Sequence, residues 1–283
     1  MYYYIIDPQK LPQRQFERVQ NELYSSLSEY RVAGESMRVS GMRPVSQLVE
    51  SAFSHNAKTI IAVGSDETLH DVINCVKSRD VVIGFVPLYK TELSQTLGLD
   101  GINNACKYIS LRRIALIDAG TVNNTLFLSK LSFGFNLQEN GKTPSSWNLN
   151  IIKNLFNQKV FDVSFSGDES YKASLKVLGG MIINSRGNSS TESLIANPTD
   201  GILDVLLLPQ LSRFKLFKYR KHILSGAFEN IPESSLVHLK KIEISSPEGL
   251  PLKVGSRVIA KSPATIESLP QAVKIIVGRD RKF

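Results

Sequence analysis

The stretch with the most chemical promise is a buried apolar run that stops at a glycine and turns polar. Ile60-Ile61-Ala62-Val63 leads into Gly64-Ser65-Asp66-Glu67-Thr68, and Leu69 to Asn74 continue at helical spacing. A strand-to-helix turn of this kind presents the unpaired N–H groups of a helix N-terminus, which suit an anion. Open α/β sheets bind their ligands there, outside the carboxyl ends of the strands. Asp66 or Thr68 can equally cap the helix, which would make the stretch an ordinary turn. The residues alone leave both readings open.

Three other groups of side chains have chemical types and spacings worth following. Lys90 lies in the polar run Tyr89-Lys90-Thr91-Glu92-Leu93-Ser94-Gln95, where it reads as a solvated loop lysine. Asp200 and Asp204 frame Asp200-Gly201-Ile202-Leu203-Asp204, in which the Asp-Gly pair is a plain turn signal entering a strand. From Leu211 to Ala227, Phe214, Phe217, Lys218, Lys221 and Leu224 recur at three and four residues, with Arg213, Lys215, Arg220 and His222 around them. A basic, aromatic helix of this kind can lie on an anionic lipid surface, or it can pack on a core with its lysines solvated. The four histidines, His55, His70, His222 and His238, show no metal-ligand spacing. Trp147 and the polar run 185–190 read as loop residues.

The elements that must position these groups change character along the chain. Apolar Tyr2 to Ile6 opens the sequence, followed by a helix with Phe16, Val19, Leu23 and Leu27 on one face. Tyr30 to Val39, Thr59 to Val63 and Val81 to Val86 read as further strands, with helices over Val45 to Phe53 and Thr68 to Val76 between them. This alternation predicts an α/β domain with a doubly wound parallel sheet over residues 1–108. From residue 109 to 283 the pattern becomes short strands and turns, which predicts an antiparallel β domain interrupted by the single helix Leu211 to Ala227. Val273 to Val277 reads as its last strand, with the C-terminus packed.

Composition narrows the class. The chain has 283 residues, of which 42% are hydrophobic and 21% charged, a globular balance. Its longest apolar runs fall well short of the roughly 20 residues that span a bilayer. Two cysteines, Cys75 and Cys106, in no CxxC pair argue against a disulfide framework or a structural zinc. With no export signal read at the start, a cytoplasmic location is expected, peripheral to a membrane if the basic helix engages one. A net charge of +8 favours phosphate-bearing partners. The basic residues form no known nucleic-acid motif, so nucleic acid is not expected among them.

The motifs carry a family resemblance. Val63-Gly64-Ser65-Asp66-Glu67-Thr68 resembles the GGDGT motif of the superfamily of diacylglycerol kinases, sphingosine kinases and bacterial lipid kinases. Asp7-Pro8 resembles its first-strand Asn-Pro motif, and Gly84-Phe85-Val86-Pro87-Leu88 the strand before its GTxND loop. Arg113 to Asn123 resembles the start of its second domain, Ile195 to Val205 its DGxLDV segment, and Ser262 to Glu267 its closing strand. The resemblance implies a domain like that of NAD kinases followed by a β-sandwich, with the active site between them. It also implies ATP and magnesium as cofactors and a lipid hydroxyl as acceptor. Asp7, Gly64, Ser65, Asp66, Glu67, Thr68 and Lys90 then become the nucleotide-binding candidates, and Asp200 and Asp204 the metal candidates.

The departures from that pattern fall where the chemistry is most demanding. Ser65 and Glu67 replace glycines that allow backbone to approach a phosphate, and Glu67 adds negative charge beside a polyanion. The run after Leu88 lacks the glycine turn. Where the family has an Asp-Gly-Glu turn carrying the base and its support, Gly255 and Arg257 stand instead. Neither glycine nor a permanently protonated arginine can accept a proton from a hydroxyl. Phosphoryl transfer needs phosphate contacts, a charge-neutralising metal and a base. The expectation is a lipid-kinase-like protein with degenerate catalysis that acts by binding a ligand, a membrane surface or a protein partner. The alternative is a divergent ATP-dependent lipid kinase.

Overall fold

The computed structural model describes residues 1–8, 11–77, 79–134, 160–167, 171–185 and 196–283. Trp147 and residues 186–190 lie outside them. The chain forms two compact units, Met1–Ala119 with Pro270–Phe283, and Gly120–Leu269.

The first unit is built on parallel strands. β1 (Tyr2–Ile6) lies between β2 (Glu35–Arg38) and β3 (Thr59–Gly64), and β3 pairs on its far side with β4 (Val82–Pro87), all in parallel. Every residue of β3 and β4 is buried, which explains their uninterrupted apolar runs: a central parallel strand is covered on both faces. The alternation of β1 shows what covers them. The Tyr3 hydroxyl donates to Ser51 Oγ on α2 (Val45–Ser54), while the Tyr4 hydroxyl, on the opposite face, donates to Val32 O, and α5 (Ile102–Leu111) packs against β4. The long helix α1 (Gln13–Glu29) buries Phe16, Leu23 and Leu27, and Tyr30 at its end donates to Asn103 Oδ1 on α5 at 2.8 Å. The sheet is doubly wound, as expected.

Two features of this unit were not legible in the sequence. α3 (Asp66–Val76) is followed, after β4, by a short helix α4 (Glu92–Leu97) where a polar loop was expected. The C-terminal part of β15 (Ala264–Ile276) returns here, pairing Ile275 in parallel with Ile83 of β4, rather than closing the β domain. The units therefore differ from a division at residue 108. Periodicity identifies Val273 to Val277 as a strand but does not name its partner.

Burial decides the chemistry of the thiols. Cys106 is fully buried, and desolvation, reinforced by Glu22 and Glu29, pushes its pKa up to about 12. At pH 8 only about one thiol in ten thousand is then ionised. Cys106 should resist iodoacetamide in the folded chain and react in urea, read by peptide mass. Rapid native labelling would mean that α5 does not pack as described.

The second unit is antiparallel. β5 (Ile114–Val122) enters it and pairs with β6 (Thr125–Phe127). β9 (Tyr171–Ile183) pairs with β7 (Lys130–Gly134), β8 (Phe161–Gly167) and β10 (Leu203–Pro209). β11 (Ser235–Leu239) adds to β10 and β12 (Lys241–Ser246) to β8, while β13 (Pro251–Val254) joins β7 and forms a hairpin with β14 (Arg257–Lys261). β10 shows how one sequence serves two cores. Leu203, Val205 and Leu207 enter a core with Phe127, Ile244, Leu252 and Ile266, whereas Leu206 and Leu208 enter a second core with Leu216, Ile223 and Phe228. The alternation of β9 changes phase around Gly179 and Gly180, where its pairing with β10 slips between Leu208 and Pro209.

The expected helix Leu211 to Ala227 is corrected to two. α6 (Arg213–Lys218) and α7 (Arg220–Ser225) are separated at Tyr219. At the break Tyr219 has φ −95° and ψ 9°, and Arg220 Nη1 donates to Phe217 O at 2.8 Å. Leu224, grouped with the basic face by spacing, is buried.

Candidate functional site

The polar elbow after β3 is held by a short chain of hydrogen bonds. Ser65 is the N-cap of α3: its Oγ accepts from the Thr68 N–H at 3.4 Å, and its own N–H donates to Thr68 Oγ1 at 3.2 Å. This is a capping box in which threonine takes the place usually filled by glutamate or glutamine. Thr68 Oγ1 then donates to Asp7 Oδ2 at 2.9 Å, tying the end of β1 to the elbow. From the other side, Thr91 Oγ1 donates to Asp66 Oδ1 at 2.7 Å. Thr91 itself caps α4 through a second box, accepting from the Ser94 N–H at 3.0 Å while Ser94 Oγ accepts from the Thr91 N–H at 3.0 Å. The elbow is laced to its neighbours on both sides.

Gly64 is required here by close approach. A Cβ at this position would overlap Thr68 Oγ1 and stand 2.9 Å from Thr68 Cβ. Its φ is not positive, so freedom to adopt a left-handed conformation is not the reason for glycine. Asp66 and Glu67 occupy the first turn of α3, where their charge is favourable to the helix dipole and opposes a second anion.

The structure thus brings together Asp7, Gly64, Ser65, Asp66 and Thr68, with Glu67 in the same turn. Lys90 points its ammonium toward Asp100, 3.4 Å from Oδ2, in an exposed pair of the kind that contributes little. Thr91, not Lys90, reaches Asp66. The Asp66–Thr91 bond has a charged acceptor, and Thr91→Val should lower stability by about 1 to 2 kcal/mol. A denaturant midpoint unmoved by Thr91→Val would show the bond to be idle.

In the second unit, Gly255 and Ser256 form the two-residue turn between β13 and β14, with Val254 opposite Arg257. Gly255 has φ +59°, so glycine at this position meets a hairpin's demand. Arg257 opens β14 on an exposed surface. Asp200 Oδ1 accepts from the Ile202 N–H at 2.9 Å, which makes it a turn residue. Asp204 lies directly opposite His238 in the β10–β11 ladder, and His238 Nδ1 is 2.6 Å from Asp204 Oδ1. Burial raises the Asp204 pKa, the His238 contact opposes that shift, and Asp200 adds to it. Magnesium prefers uncommitted carboxylate oxygens, and here one oxygen of each is taken by a protein partner. Among the described residues no group of three or more His, Cys, Asp or Glu is arranged to hold a metal. No step is routed through a metal here.

An α/β unit with a polar elbow at its strand ends, followed along the chain by an antiparallel β unit, defines the class. Residues 3–122 match the diacylglycerol kinase catalytic domain, and residues 152–277 match the YegS C-terminal NAD kinase beta sandwich-like domain. The chain belongs to the diacylglycerol kinase and NAD kinase-like superfamily. A diacylglycerol kinase structure from Bacillus anthracis str. Sterne is 18% identical, with a TM-score of 0.74, covering 98% of this chain and 97% of that one. A second structure from that organism, described as a candidate diacylglycerol kinase, is 19% identical, with a TM-score of 0.79 and coverage of 98% and 96%. An NAD kinase from Archaeoglobus fulgidus in complex with ATP is 13% identical, with a TM-score of 0.55 and coverage of 99% and 95%. These likenesses establish the fold. No curated protein sequence matches. No helix among the described residues is long and apolar enough to cross a membrane.

Two residues that bond to the site candidates, Thr91 to Asp66 and His238 to Asp204, are missed by the sequence reading. Thr91 gives little signal in sequence, because Ser94 stands where a capping box is ordinarily read from Glu or Gln. His238 was set aside for lack of ligand spacing; its contact with Asp204 depends on the register of β11, a strand that went unassigned.

Proposed function

We propose that this chain is a lipid-kinase-fold protein that has given up ordinary phosphoryl transfer and acts by binding. The observation that carries this reading is the self-satisfied elbow. The α3 N–H that a phosphate would seek at Thr68 is bonded to Ser65 Oγ, and the Ser65 N–H is bonded to Thr68 Oγ1. A triphosphate would have to displace these bonds and then lie against Asp66 and Glu67. That repulsion is strongest in a site sheltered from water. The absence of a base at Gly255 and Arg257 supports the same reading from the second unit. ATP and magnesium, implied by the family, are not part of this proposal.

One observation favours the divergent-kinase alternative: Gly64, Asp66 and Thr68 are retained from the family motif. The two readings separate in one assay. With labelled ATP, magnesium and dioleoylglycerol in mixed micelles, the purified chain should form no phosphatidic acid above the enzyme-free blank. Turnover that Asp66→Ala abolishes would establish the kinase reading instead.

A further inference from the structure

We propose that the outer face of α6 and α7 is a docking surface for a bilayer carrying anionic headgroups. This inference is independent of whether the elbow binds nucleotide. Leu216 and Ile223 are buried in the core against β10, which fixes the opposite side of the helix pair outward. On that outward side Phe214 is 77% exposed and Phe217 40%. Large rings left in water at this density on twelve residues of helix are unusual unless something covers them. Arg213, Lys215, Lys218 and Lys221 are exposed around the rings. Lys215 is paired with Glu233 at 2.7 Å, and the other three leave the face strongly cationic.

The arrangement is held in place. The Arg220 guanidinium sits 4.3 Å from the centroid of the Phe217 ring and donates to the Phe217 carbonyl, so this ring is presented from a buried support. Phe214 protrudes furthest, one turn earlier. Rings that enter the boundary between headgroup and acyl chain, with lysine stems reaching back to phosphate, match an interfacial helix. The chain's net charge of +8 adds attraction at longer range.

Sedimentation of the full chain with lipid vesicles tests this. The chain should partition onto vesicles of three parts phosphatidylcholine to one part phosphatidylglycerol, bind less as salt rises, and ignore pure phosphatidylcholine. Phe214→Ser should weaken partitioning roughly tenfold or more, and the pair Lys218→Glu with Lys221→Glu at least as much, with unfolding midpoints unchanged. In the variant combining Trp147→Phe with Phe214→Trp, emission should shift to the blue on anionic vesicles alone. Equal binding to neutral and anionic vesicles, no binding to either, or Phe214→Ser binding like the parent would overturn the proposal. A face that instead serves an acidic protein would give the second of these results.

Discussion

Gly64→Ala is expected to cost the folded chain about 2 to 4 kcal/mol, a large part of a typical domain's stability. The added methyl group would collide with the hydroxyl and Cβ of Thr68, and a β-carbon cannot swing aside as a side-chain tip can. The first turn of α3 must shift, straining the bonds to Ser65 and Asp7 together. Thr68→Ala alone should cost about 1 to 2 kcal/mol, by removing the hydroxyl that joins Ser65 and Asp7. Combined, the two changes should cost less than their sum, because alanine at 68 lacks the hydroxyl that a methyl at 64 meets first, although its Cβ remains in contact. Denaturant unfolding of the four chains reads this coupling directly. Strict additivity would mean that Gly64 and Thr68 do not share the contact described.

Gly278→Ala is the second large effect, about 3 kcal/mol or more. The Gly278 N–H donates to Leu97 O at 2.8 Å, bringing the two backbones so close that a Cβ would overlap the Gly98 carbonyl oxygen. Gly98 ends α4 in the left-handed region at φ +68°, and a Cβ there would come within 2.6 Å of Arg281 N. α4 is thus fastened at both ends: Thr91 holds its start to Asp66, and the glycine contact holds its end to the C-terminal segment. Loosening one end should weaken the other, so Gly278→Ala should also speed amide exchange at Thr91 and Ser94. Gly41→Ala is the control, since nothing lies within 4 Å of a Cβ there, and it should change stability by less than about 0.5 kcal/mol. Equal losses from both substitutions would contradict the packing of the C-terminal segment.

The parts of the fold that were legible in the sequence are those where burial writes a periodic signature. β3 and β4 are buried along their whole length and appear as unbroken apolar runs; α1 buries one stripe and shows Phe16, Leu23 and Leu27 at helical spacing. What the sequence withheld depends on contacts far apart in the chain. Ile275 finds Ile83 across nearly two hundred residues, and nothing in Val273 to Val277 announces a parallel partner. Asp204 meets His238 only because β10 and β11 pair in one register. At the elbow, comparison with a glycine-rich motif drew attention to the glycines that are missing. Ser65, which stands in place of one of them, and Thr91, in the run after Leu88, cap two helices. The break at Tyr219 was hidden for a different reason: no glycine or proline marks it.

The account turns on whether that elbow can receive a triphosphate. Thermal or denaturant unfolding of the full chain, with and without millimolar ATP and magnesium, answers this most directly. A ligand present at 100 times its dissociation constant stabilises by about 2.7 kcal/mol. No change in the unfolding midpoint is predicted, for the parent chain and for Asp66→Ala alike. A clear upward shift in the parent that disappears in Asp66→Ala would contradict the closed elbow and restore the kinase reading.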